Sequence, residues 1–135
     1  MEMRAKGKNP APGFINHPVH RIDLFPLQKR MVAKFNGETI IDSSLGWVME
    51  ETGYPVRYYL PAQEVNQHLL VPTGHSTYCP FKGRASYWDL NIRGESLQYA
   101  LWSYKMPFDE MEKIAGWFSF YQERLDEFFI LSVEQ

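Results

Sequence analysis

Asn36-Gly37 sits between two short apolar runs, Met31-Val32-Ala33-Lys34-Phe35 and Glu38-Thr39-Ile40-Ile41. Both central residues tolerate positive φ, which a two-residue type I′ turn demands. In the first run Ala33 and Phe35 share one face and Lys34 takes the other, the period of a strand. An antiparallel hairpin over 31–41 follows, and β-sheet becomes the organising element of the chain.

Other segments repeat the pattern. Leu45 to Glu50 around Trp47 and Val48, Val56 to Leu60, Ala85 to Ile92, Leu97 to Tyr104 and Trp117 to Tyr121 all read as strands, rich in β-branched and aromatic residues. The tail, with Phe128-Phe129-Ile130, leans the same way. Arg93-Gly94-Glu95-Ser96 is a hairpin loop. Two short helices are expected. One follows Pro61 and runs from Gln63 to Leu70; the other begins at an Asp109 N-cap and closes at Gly116. Residues 71–83, with two prolines and two glycines, read as a loop. Residues 1–29 hold Pro10, Pro12, Pro18 and Pro26 and read as an arm that packs on the body through Phe14, Ile15, Val19, Ile22, Leu24 and Phe25. The expected fold is mainly β, α+β at most, in one domain over 30–135: small antiparallel sheets joined by short loops.

Composition narrows the function. Fourteen Lys and Arg against sixteen Asp and Glu leave a net charge of −2, without the basic footprint of a nucleic-acid or anionic-membrane binder. The run Arg4, Lys6, Lys8 is short and reads as solvated. No stretch reaches ~18 apolar residues, so no membrane-spanning helix is expected. No secretory signal is visible, and a cytoplasmic location is the expectation. One cysteine, Cys79, cannot form an internal disulfide or a multi-cysteine zinc site. The 9 Phe, 8 Tyr and 4 Trp exceed what a small core readily holds, so some rings should line a groove.

Several pieces together resemble a known family. They are Phe35-Asn36-Gly37-Glu38, Asp42-Ser43, Glu50, Tyr58-Tyr59-Leu60-Pro61, Thr77-Tyr78-Cys79-Pro80-Phe81-Lys82-Gly83, Ala85-Ser86-Tyr87, Trp102-Ser103-Tyr104, Pro107, Ile114 and Phe120-Tyr121. The chain is similar, over roughly residues 30–125, to a bacterial and fungal family described only as domain of unknown function 427. The resemblance implies a β-tent-like or barrel-like fold of two small antiparallel sheets. Many β-tent proteins pin their sheets with zinc on two Cys pairs, and a chain with one Cys lacks that site. The family also carries a nucleotidyltransferase-like label. The Gly-Ser and paired-carboxylate arrangement of such enzymes is not found here.

The stretch His75 to Tyr87 concentrates chemistry: imidazole, thiol, ammonium and phenol within thirteen residues. A type I turn would bring Cys79 and Lys82 within ~7 Å. A nearby cation favours thiolate and would make Cys79 nucleophilic, although a lone Cys before Pro-Phe is more often a small buried hydrophobe. His75 is a candidate base, against a capping role in the loop. Lys82, between Phe81 and Gly83, offers a point charge to an anion, against the plainer role of a surface lysine. Glu50 and Glu51 end the third strand and Asp42 ends the second; a carboxylate there could act as base or partner Lys82.

Tyr59, Tyr87, Trp102 and Tyr104 are the expected walls, Trp102 and Tyr104 sharing a face. For most such rings, core packing is the commoner role. The expected function is binding of a small anionic or polar molecule by Lys82, Tyr59, Tyr87, Trp102 and Tyr104, with His75, Cys79, Lys82 and Glu50 for any catalytic step. A Cys/His/Lys enzyme acting on an electrophilic or phosphorylated small substrate is the first alternative. A homodimeric interaction module using the arm is the second. No metal or other cofactor is expected, no nucleic-acid or membrane partner, and either a monomer or a homodimer.

Overall fold

The computed structural model describes residues 9–132. The basic run at Arg4, Lys6 and Lys8 lies outside the described residues. The chain folds as a single small, mainly β domain without a closed barrel.

Among the described residues a single α turn, α1 (Gly13–Asn16), precedes ten strands: β1 (Ile22–Pro26), β2 (Arg30–Phe35), β3 (Glu38–Ser43), β4 (Trp47–Glu51), β5 (Arg57–Tyr59), β6 (Leu70–Cys79), β7 (Gly83–Ile92), β8 (Glu95–Ser103), β9 (Phe118–Phe120) and β10 (Glu127–Leu131). The hairpin signal at Asn36-Gly37 is realised, with φ of 48° and 77°. Arg93-Gly94 repeats it between β7 and β8, with φ of 52° and 81°. Both pairs have the positive φ that lets a two-residue turn follow the strand twist.

Three antiparallel sheets form where two were expected, in the orders β1-β4-β5, β10-β2-β3 and β6-β7-β8-β9. Two of them are joined. Leu60 and Phe118 exchange both backbone hydrogen bonds, each 2.8 Å, so β5 is linked to β9 across the sheet boundary. The resulting strip runs from β1 to β6 with one hinge.

Alternation on the central strands explains the layering. Leu90 and Ile92 of β7, Leu101 of β8 and Phe118 and Phe120 of β9 face Met31, Ala33, Phe35, Ile40 and Ile41 in one core. The opposite parity, Ala85, Trp102 and Tyr104, faces Met49 and Tyr59 in a second core capped by Met111 and Ile114. Strands buried on both faces cannot show a clean polar and apolar alternation.

Three local expectations change. Residues 71–79 are strand β6 and not loop; only Pro80-Phe81-Lys82 turns. The segment works as a strand because it is a sheet edge, where Pro and Gly break no inner ladder, and its pairing is interrupted between Pro72 and Ser76. The arm is not wholly separate: Ile22–Pro26 pairs with β4 as an edge strand, which Pro26 tolerates. The expected helices are 3₁₀ turns, Ala62–Glu64, Gln67–Leu69 and Asp109–Ile114.

Candidate functional site

The β6–β7 turn is the centre of the site. Lys82 N–H donates to the Cys79 carbonyl at 3.3 Å, closing the turn that carries both side chains. Gly83 follows with φ 121°, a conformation closed to other residues without strain, and a Cβ there would lie 3.3 Å from the Pro107 Cα. The turn is thus seated against the segment leaving β8, where the Phe108 N–H donates to the Lys82 carbonyl at 3.0 Å.

Lys82 does not reach into water. Its ammonium donates to Glu51 Oε1 at 2.5 Å, with the two side chains 13% and 5% exposed. The second oxygen of Glu51 accepts from His20 Nε2 at 2.9 Å. The Lys82 ammonium also lies 5.8 Å from the ring centre of Tyr54 and 6.0 Å from that of Tyr104. A hollow of about 350 Å³ opens here, lined by Glu51, Tyr54, Tyr78, Cys79, Lys82 and Tyr104 among others.

Glu51, and not Glu50, is the carboxylate of this hollow. Glu50 stands exposed on the opposite side of β4. The parity of Trp47, Met49 and Glu51, all turned to the second core side, was the signal that selects it. His20 had no local signal in the sequence; a lone imidazole among arm prolines becomes meaningful only once β1 is paired. Its ring stacks on Phe81 at 4.0 Å and 21°. The arm is fastened nearby by Gly13 N–H to the Pro80 carbonyl at 2.9 Å. A Cβ at Gly13 would meet the Phe81 ring at 2.7 Å, so only glycine fits that approach.

Tyr104 is buried, 6% exposed, yet its ring lines the hollow. Among the described residues its hydroxyl has no hydrogen-bond partner. Burial, reinforced by the neighbouring Tyr59, Cys79, Tyr87 and Glu51, pushes its phenol well above the ordinary range. It therefore stays a neutral O–H donor.

The remaining expected residues separate from this group. Tyr59 and Trp102 are sealed in the second core, 1% and 7% exposed, with Trp102 Nε1 donating to Tyr59 Oη at 3.2 Å. They support the wall without lining it. His75 is four residues up β6 from Cys79, roughly 13 Å along an extended strand. Its ring stacks on Tyr99 at 4.2 Å and 14° and tilts against Tyr87 at 4.8 Å. Tyr99 holds a φ of 54°, its N–H satisfied by Asp89 Oδ1 at 2.8 Å, where the β7–β8 register slips between Trp88 and Leu90. Tyr87 bonds Thr77 Oγ1 at 2.8 Å. This aromatic shelf belongs to the same sheet face but not to the hollow. Asp42 is taken by Arg30 in a surface pair, 2.7 Å at each oxygen.

Two other hollows carry less chemistry. In one, of about 280 Å³, Asp109 and Glu110 already accept from the Asn9 and Ala11 N–H groups, so they fasten the arm. Another, of about 460 Å³, is lined by Leu27, Leu45, Trp47, Pro61, Trp117 and their neighbours and has no charged wall. Among the described residues no cluster of three or more His, Cys, Asp or Glu side chains is placed to hold a metal. No helix among them is long and apolar enough to cross a membrane.

No curated protein shows a significant match to the chain. Residues 23–130 match the family profile NTP_transf_9, described as a domain of unknown function (DUF427). That stretch contains β1 through most of β10, including Glu51, Cys79, Lys82 and Tyr104. The chain belongs to the DUF427 family.

Proposed function

We propose that this chain binds a small, acceptor-rich molecule, a carboxylate or similar anion, in the hollow beneath the Cys79–Lys82 turn. The observation that carries the reading is Tyr104, a 6% exposed residue on the wall of that hollow whose hydroxyl has no partner among the described residues. A phenol O–H without a protein partner, on the wall of a hollow, is free to bond to something that enters. Lys82 adds to it. An ammonium has three donors, and one of them is used by Glu51. The Cys79 thiol stands in the same wall. The floor therefore offers donors, while tyrosine rings supply apolar sides of the kind small-molecule sites use.

Thermal-shift and NMR titrations with acetate, benzoate and inorganic phosphate test this. A binder present at a hundredfold excess over Kd stabilises by about 2.7 kcal/mol. Tyr104→Phe should keep the unliganded melting point, because its hydroxyl makes no internal bond, and should weaken binding several-fold. The pair Lys82→Met with Glu51→Gln, which removes both charges together, should abolish it. Absence of binding by every probe, or binding untouched in both variants, would reject the site.

Cys79 supports a second reading, thiol chemistry on an electrophilic ligand held there, since it is partly accessible and lines the hollow. Alkylation by iodoacetamide faster than that of a free thiol, with protection by a bound anion, is expected on that reading. A rate at or below the free-thiol value would remove it.

A further inference from the structure

Resting on the reading of the hollow just given, we propose that an anion held by Lys82 enters together with one proton, that His20 receives this proton, and that the ligand is accordingly a monoanion. Glu51 is the reason. Its carboxylate is 5% exposed and divided between two partners, Lys82 on Oε1 and His20 on Oε2. Lys82 and Glu51 are opposite in charge, and His20 donates to Glu51 from Nε2. An anion on Lys82 draws the ammonium away from Glu51 and adds one negative charge to a space walled by rings. An uncompensated charge there is costly. A second proton on the imidazole restores neutrality where the imbalance lies, beside Glu51.

The position of His20 suits the role. Glu51 can only accept, so Nε2 carries the donated hydrogen and Nδ1 is the atom left to take the second. Nδ1 has no partner among the described residues. The ring lies face to face with Phe81 at 4.0 Å, a surface that favours a cationic imidazole. Solvent reaches it through a neighbouring hollow of about 380 Å³ lined by His17, Val19, His20, Thr52, Tyr54 and Phe81. The groups facing His20 are few. Glu51 and, through it, Lys82 come from β4 and the turn. His17 lies across Phe81, with ring centres 6.2 Å apart, and Tyr54 shares the neighbouring wall. Arg21, next in the chain, turns to Asp23 at 3.3 Å. Neither Cys79 nor Tyr104 is a base in its neutral form, and of the two groups left an imidazole is ordinarily a stronger base than a carboxylate, so the proton goes to His20 ahead of Glu51. A dianion would need a second proton, with only the weaker base Glu51 left to take it.

The test is titration of the full chain with sodium acetate and with inorganic phosphate at pH 6, 7 and 8, following affinity and the His20 ring nitrogens by NMR. Acetate affinity should fall with rising pH, approaching tenfold per pH unit between pH 7 and 8, as expected when one proton accompanies each ligand. The His20 ring should gain its imidazolium signature as acetate saturates. His20→Gln keeps an N–H donor for Glu51 but cannot accept the proton; it should flatten the pH dependence while binding persists weakly. His20→Asn provides the same comparison should the glutamine variant fold poorly. Acetate binding that is independent of pH, pH dependence that survives in His20→Gln, or phosphate outbinding acetate at pH 8 would overturn this proposal and leave the hollow as a binding site. Failure of both anions at every pH would overturn the proposal and the site together.

Discussion

A buried phenol and a buried indole share one need, a partner for each polar hydrogen. Trp102 Nε1–H meets it through Tyr59 Oη in the second core. Tyr59→Phe should therefore lose more than one bond's worth of contact, because the indole N–H is left buried and unsatisfied. We expect destabilisation of about 1–3 kcal/mol, read as a lower urea midpoint at unchanged slope. A double cycle with Trp102→Phe should recover part of that cost, since removing both partners leaves nothing unpaired. An effect no larger in the single variant than in the double would show that the bond contributes little. At the same scale, Glu51 was within reach of sequence reasoning and His20 was not. Glu51 shares strand parity with Trp47 and Met49, whereas the place of His20 depends on a pairing between β1 and β4 that no local pattern encodes.

At the scale of elements, turn chemistry was readable and edge strands were not. Asn36-Gly37 and Arg93-Gly94 announce themselves because positive φ restricts residue choice. The turn at Cys79–Lys82 was also anticipated, and its hydrogen bond forms. Strand β6 was hidden by its own punctuation. Pro72 and Gly74 are ordinary in loops, and only the knowledge that β6 is an edge makes them compatible with pairing. Gly83 is the element-scale test. Its φ of 121° strains any side chain, and a Cβ 3.3 Å from the Pro107 Cα would press on that segment. Gly83→Ala should cost about 1–3 kcal/mol and shift the turn, so that anion binding weakens with it. A variant with wild-type stability would mean the backbone relaxes freely there.

For the whole molecule, the second core buries two phenols, Tyr59 and Tyr104. Burial raises the pKa of Tyr59 and Tyr104 well above the ordinary value near 10. The sign follows from the direction. The folded state holds these protons more tightly than the unfolded chain, so the contribution is complete below pH ~10 and is lost as pH rises further. Each buried phenol should cost about 1.4 kcal/mol of stability per pH unit above that point. Tyrosinate absorbance should rise in two stages, exposed rings first and these two together with unfolding. Full ionisation of all tyrosines while the fold persists would contradict the burial. On the acid side Arg57, by hydrogen bond first and charge second, holds the Glu123 carboxyl below its usual range. That stability is present above the unfolded carboxyl value and is lost as pH falls through the folded one. The Glu123 side chain is 55% exposed, so solvent screening keeps the effect under about 1 kcal/mol.

Sequence alone determined the mainly β class, the hairpin turns, the parity of the long strands and the pairing of Cys79 with Lys82 on one turn. These depend on φ restrictions and period-two alternation, which act over a few residues. The tertiary structure decided which polar groups meet. It divided the aromatic residues between two cores and a shelf, moved His75 away from the thiol, and joined His20 to Glu51, thirty-one residues apart in the chain, with Lys82 on the other carboxylate oxygen. Convergence of that kind is set by which strand pairs with which and by how the sheets lean on shared cores, and those choices are made by the chain as a whole.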